Sequence, residues 1–322
     1  MKNTILKMLS LAMLAIPAAH VAHAAEYTVR QNWTLDGAGR WDYLDVDAAH
    51  QRLFVTRGER VQVLNLADGK VVGEIAGLKR AHGVAFAPKL GLGFASSGEG
   101  DSVVVFDLNS LQTKQEVKVS GKNPDAILYH EASGKLYTFN GKTANVSVFE
   151  AATMKPLATI AVGGKPEFAV SDSGRIYVNI EDKNEIAVID AASDKLLEHW
   201  PLAGCDEPTG LAFDAAHKRL FSVCGNGVLA ITDSASGKAV ARSSIGKGAD
   251  AAVYDAATGT VFSSNGEGSL TVVRQIDADH YAAPVTVATL KGARTMAMDH
   301  ATGRIYLPTL VNQHFTLIVA AP

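Results

Sequence analysis

The sequence predicts an all-β protein, a seven-bladed β-propeller whose last blade is closed by the N-terminal strand. Three observations carry this. Short β-rich runs recur in groups of four with a period of roughly 42 residues, the loop that opens each group recurs seven times, and the last group is one strand short while an orphan strand precedes the first. Periods of about 40–45 residues with four strands each mark propeller blades.

The unit is clearest from Gly163 to Asp214. A Gly/Pro loop leads into the apolar Phe168–Val170, then a turn at Asp172-Ser173-Gly174 and the run Ile176–Val178. A polar loop at Glu181–Asn184, the alternating Glu185–Ile189, a turn at Ala191–Asp194 and a last strand before Gly204 complete it, and at Pro208 the pattern starts again. Four short runs punctuated by turn residues form one antiparallel sheet. The opening loops align on Asp42, His82, Asp125, Glu167, Thr209, Asp250 and Thr295, spaced by 40, 43, 42, 42, 41 and 45 residues. Hairpin turns such as Asp47-Ala48-Ala49-His50 and Asp214-Ala215-Ala216-His217 keep the same count. The seventh repeat supplies three strands and ends with Phe315–Val319, so Tyr27–Leu35 is expected to complete that blade. A closed ring hides strand edges, which predicts a monomer.

Residues 1–24 read as a secretory signal. Lys2 and Lys7 precede the apolar Met8–Ala19, and Ala22-His23-Ala24 is a small-x-small cleavage site. The apolar run falls short of the roughly 20 residues of a bilayer span, so no membrane span is expected. The reading is a periplasmic protein whose single domain covers residues 25–322. Cleavage lowers the 30 basic residues to 28 against 33 acidic ones, a balance that disfavours wrapping by nucleic acid without excluding a local basic patch. In an oxidising compartment the two cysteines, Cys205 and Cys224, are expected to pair, with Cys224 placed opposite Thr209 in the hairpin.

The repeat resembles the YVTN-type propeller family, through Lys135–Asn140, Asn145–Phe149, Leu157–Pro166, Arg175–Asn179 and Ile186–Asp190, best in blades three to five. The resemblance covers the mature chain. Its YncE-like members are periplasmic, which implies a non-enzymatic binding scaffold and leaves the ligand open. Family members are linked to nucleic-acid binding and to envelope or metal-uptake contexts.

In a propeller the opening loops converge around the channel mouth, so ligand-binding residues are expected there: Arg40, Trp41, Asp42, Tyr43, Arg80, His82, Asp125, Glu167, Asp250 and Arg294. Four acids and a histidine in a confined ring raise one another's pKa values unless compensated. Two readings stand side by side. A divalent cation (Ca, Mg, Zn or Mn) is held by Asp42, His82, Asp125, Glu167 and Asp250; or Arg40, Arg80, Lys122, Lys165 and Arg294 pair with the acids. The outer rim adds Arg57, Arg60, Lys79 and Lys142, which with Trp41 and Tyr43 suit an anion or single-stranded nucleic acid. His50, His130, His217 and His300 fall in turns of the opposite face and read as connectors.

No G-x-S-x-G, H-E-x-x-H, phosphate-cradling loop or C-x-x-C-H occurs. The leading reading is therefore a scaffold that binds a small ligand or an envelope protein. The alternatives are a lactonase- or esterase-type hydrolase with a channel metal, and a single-stranded nucleic-acid binder.

Overall fold

The computed structural model describes residues 26–37 and 39–322; the expected leader lies outside them. Among the described residues, seven four-stranded antiparallel sheets stand around a central channel lined by the first strand of every blade. Blade 5 shows the plan. Pro208–Asp214 lies innermost, Arg219–Cys224 and Val228–Asp233 follow, and Ala239–Ser244 faces solvent. The middle strands are sandwiched between neighbouring blades and buried on both sides, so they read as unbroken runs of apolar and small residues rather than as alternating ones.

Blade 7 is closed as expected. Thr28–Leu35 pairs antiparallel with His314–Ala321, from Thr28 opposite Ala321 to Leu35 opposite Phe315. The Tyr27 hydroxyl donates to Gly303 O at 2.9 Å, and the Tyr27 ring meets Phe262 of blade 6 edge-on at 4.7 Å. The two chain ends are thereby held in one sheet.

The repeat's recurring residues join neighbouring blades. Tyrosines of second strands reach the outer turn of the next blade: Tyr177 donates to Ser234 O at 3.0 Å, Tyr306 to Leu66 O at 3.2 Å and Tyr137 to Asp194 at 3.0 Å. The basic residue two positions earlier makes a parallel contact. Lys135 donates to Ala191 O, and Arg304 to Leu66 O. At the same face the turn aspartates accept backbone N–H groups of their own turns, as Asp172 does from Gly174 and Arg175. His50 and His217 bond Asp47 and Asp214 at 2.7 and 2.6 Å, which makes them the connectors the sequence suggests.

First strands carry a register shift near their start in blades 2 to 6, at Ala81/Val84, Pro124/Ile127, Pro166/Ala169, Pro208/Leu211 and Ala249/Ala251. Such a bulge leaves a residue outside the ladder and turns its side chain. It also corrects the expected cysteine register: Cys224 lies opposite Pro208, one residue before Thr209. The Cys205–Cys224 disulfide itself is present, with Cα atoms 5.3 Å apart.

Replacing both cysteines by alanine is expected to lower the unfolding free energy by roughly 3 kcal/mol, as for other loops of this size. Tyr177→Phe should cost about 1 kcal/mol, the worth of one net hydrogen bond. Urea unfolding checks both, with an unchanged m-value expected for Tyr177→Phe and a larger one for the double cysteine variant.

Candidate functional site at the channel mouth

The bulges decide which side chains reach the mouth. His82, Asp125, Glu167, Thr209 and Asp250 each sit within the shifted segment of their strand. Their freed backbone carbonyls are taken up by the preceding blade. Thr56 donates to His82 O at 3.1 Å, Ser96 to Asp125 O at 2.6 Å and Asn179 to Thr209 O at 3.0 Å. Thr295 of blade 7 donates to Asp42 O at 2.9 Å, which extends the seam across the closure. Four ring residues are thus fixed by the blade before them, because buried carbonyls need partners.

At the centre lies a histidine between two carboxylates. His82 Nδ1 is 2.6 Å from Asp42 and 3.4 Å from Asp125, and the ring is 97% buried, since only 3% stays exposed. A Cβ at Gly98 would stand 2.5 Å from His82 Nε2, so the imidazole fits only against a glycine. The other two acids of the ring have cations of their own. Arg294 Nε binds Asp250 at 2.7 Å, and Lys165 binds Glu167 at 2.6 Å while also pairing with Glu181.

Burial dominates the titration here. It pushes Asp250 up to about 7 against the pull of Arg294, and Asp125 up to about 6 against His82. Glu167 is raised well above the usual range by burial and by Asp125. For His82 burial acts downward, but the Asp42 hydrogen bond and the Asp125 charge outweigh it and raise the pKa. Tyr43 is raised by burial and then by Asp250, Glu167, Asp125 and Asp42, so all four acids act on its hydroxyl.

Above this floor is a cavity of about 310 Å³ lined by Arg40, Trp41, Asp42, Arg80, His82 and Arg294, with Gly58 and Ala81. Its three guanidinium groups come from the opening loops of blades 1, 2 and 7. Arg80 and Arg294 remain roughly half exposed, at 41% and 48%, and Arg80 is only loosely opposed by Glu99 at 3.9 Å. Arg294 pairs with Asp250 through Nε and lines the cavity. Guanidinium groups around a small hollow suit a carboxylate or phosphate.

Six of the ten expected binding residues therefore meet in one cavity, and four do not. Tyr43 is buried and packs on Phe168 at 5.1 Å, below the mouth. Asp125 stands 3.4 Å from His82 without lining the cavity, and Glu167 and Asp250 are held by Lys165 and Arg294. Of the expected five-ligand metal ring, among the described residues Asp42, His82 and Asp125 bring ligand atoms within 4.8 Å of one another. Of the cations expected to pair with ring acids, Lys165 and Arg294 do so, whereas Lys122 binds Asp101 at 2.7 Å. Arg57, expected on the outer rim, is 4% exposed. It donates to Asp36 O and Gly37 O and lies 4.0 Å over the Phe315 ring, so it anchors the loop that carries Arg40 to Asp42. Its spacing from Arg60 gave no sign of that inward turn. Trp41 meets Phe315 edge-on at 6.0 Å, filling the joint between blades 1 and 7 beside the cavity.

No family model and no curated protein matches the chain. Among solved structures it is similar to a chain in the crystal structure of the mitotic checkpoint complex, with a TM-score of 0.78 and 14% identity over 98% of this chain and 99% of that one. It is also similar to a chain of Kuenenia stuttgartiensis hydrazine synthase, with a TM-score of 0.72 and 17% identity over 94% and 98%. These likenesses show the fold alone. The fold is a propeller.

The raised groups set the pH profile. Asp125, Asp250, Asp45 (about 7) and His82 all hold protons more tightly when folded, so stability falls as pH rises from about 4 through about 7. Turn carboxylates such as Asp107, held down to about 2 by the Ser110 N–H, act oppositely and remove stability below about pH 4. Urea midpoints should therefore be higher at pH 4.5 than at pH 7.5. Asp45→Asn should raise stability at pH 7.5 by roughly 1–4 kcal/mol, at 1.36 kcal/mol per pKa unit, and change little at pH 4.5.

Proposed function

We propose that the protein is a YVTN-like, YncE-like binding scaffold of the periplasm that takes a small anion, a carboxylate or a phosphate ester, in the mouth cavity. One observation carries the reading: three guanidinium groups from blades 7, 1 and 2 converge on a hollow whose acidic floor already has its own cations. With Asp250 paired to Arg294 and Asp42 to His82, the acids beside the cavity already have partners. Trp41 at its wall offers apolar surface to the ligand's body. The bridged Cys205–Cys224 pair suits an oxidising compartment, and the Lys2/Lys7 leader with its Ala22-His23-Ala24 site suits export to it. A similar fold within the mitotic checkpoint complex belongs to a multi-protein assembly, in keeping with propellers as scaffolds.

Isothermal titration with inorganic phosphate, citrate and a nucleoside monophosphate, at low and moderate salt, tests this. At least one anion should bind, more weakly at higher salt. Arg40→Gln and Arg80→Gln should each weaken it about tenfold or more, since a hydrogen bond to a charged group is worth about 1.5–3 kcal/mol. Binding by none of the series, or equal binding by the Arg40→Gln/Arg80→Gln double variant, contradicts the proposal.

A metal-dependent hydrolase is the second reading, favoured by the ligand atoms of Asp42, His82 and Asp125 lying within 4.8 Å. One histidine with two carboxylates suits Zn²⁺ or Mn²⁺. Elemental analysis before and after chelation decides it: metal at one equivalent that Asp125→Asn abolishes supports the reading, and its absence from protein supplied with both ions removes it. The nucleic-acid reading loses one of its two stacking rings, because Tyr43 is buried.

A further inference from the structure

The channel changes character below the mouth. Tyr43 of blade 1 and Phe168 of blade 4 meet across it, ring centroids 5.1 Å apart. The equivalent position holds a small residue in four other blades, Gly83, Ala126, Gly210 and Ala251, and Met296 in the seventh. At Gly210 a Cβ would stand 2.6 Å from the Ala251 backbone. Beyond the two rings lies a second cavity of about 650 Å³, opening past Ala48, His300 and Ala301 on the opposite face.

Its wall is apolar. Val46, Phe86, Leu128, Val170, Phe213 and Val253 line it, and each remains partly exposed to it. Chambers of this size hold small organic ligands, with hydrocarbon walls supplying affinity and a few polar groups supplying orientation. One carboxyl intrudes. Asp45 lines the chamber, and its Oδ1 accepts the Val46 N–H at 2.7 Å. Among the described residues no cation pairs with it. The nearby candidates are engaged elsewhere: His50 binds Asp47 at 2.7 Å, and His300 faces Asp255 at 3.7 Å. A carboxylate left in apolar surroundings without a partner is costly to keep.

We propose that this chamber binds a protonated organic amine with an apolar body, the ammonium on Asp45 and the hydrocarbon against the ring of apolar side chains. An ammonium ion supplies the missing countercharge and hydrogen-bond donors, while a neutral or anionic ligand of the same shape leaves Asp45 uncompensated. The site is separate from the mouth cavity, so either proposal stands or falls alone.

The test compares 4-phenylbutylamine, 4-phenylbutan-1-ol and 4-phenylbutanoate by isothermal titration to the full mature chain at pH 8. At that pH Asp45, pushed up to about 7 by burial, is ionised. The amine should bind at least tenfold more tightly than the alcohol, and the carboxylate most weakly. Asp45→Asn should bring the amine to the alcohol's affinity, and Val253→Trp, which fills the chamber, should abolish binding of both. Where Val253→Trp does not fold, the Asp45→Asn comparison decides. Equal affinity of amine and alcohol for the unmodified chain, binding by neither, or an amine preference that survives Asp45→Asn overturns the proposal.

Discussion

The structure depends on one pairing, that of Thr28–Leu35 with His314–Ala321. A stack of blades exposes an apolar face at each end unless it closes on itself. Here the segment that closes it also leads, within a few residues, into Arg40, Trp41 and Asp42. Arg57 holds that link by donating to Asp36 O and Gly37 O over the Phe315 ring. Closure and site assembly are consequently one event: blade 1 contributes to the mouth only because its leading segment is fixed in blade 7.

Within the closed ring the channel is layered by the alternation of the first strands. The outermost layer collects the bulged residues, all titratable but Thr209, with Lys165 and Arg294 from the same loops paired to Glu167 and Asp250. Next come Tyr43 and Phe168, which seal the channel. Below them the wall is hydrocarbon, with Asp45 as the exception. Like charges confined together are tolerated in the upper layer because His82, Lys165 and Arg294 stand among them. Burial still wins at Asp125 and Asp250, whose pKa values stay raised. Sites that hold ionisable groups at such cost are candidates for function, and this fold has two at opposite ends of one channel.

Much of the fold was legible in the sequence because a repeat is counted rather than inferred. The opening loops, the missing fourth strand and the orphan Tyr27–Leu35 together specified the ring and its closure. The disulfide followed from compartment and proximity. What escaped notice depends on local backbone geometry. A bulge costs one residue of register and leaves no mark in residue type, so Cys224 was placed opposite Thr209 instead of Pro208. Tyr43 and Arg57 read as rim residues because aromatic and cationic side chains usually are, yet both turn inward. Which ring acids pair with cations was not legible either: Lys165 and Arg294 take Glu167 and Asp250, while His82 stands between Asp42 and Asp125. A signal for the lower chamber was present: Asp45, Ala85, Leu128, Val170, Ala212, Val253 and Met298 occupy one aligned position, and all but the first are apolar.

The most direct measurement is the titration of the His82 imidazole followed by NMR. The imidazole stands between Asp42 of blade 1 and Asp125 of blade 3, and the Thr295 hydroxyl of blade 7 holds the Asp42 carbonyl across the closure. The account predicts a pKa above the ordinary 6.5, brought down by Asp42→Asn. A value at or below 6.5, as burial alone would produce, and indifferent to Asp42, would contradict it.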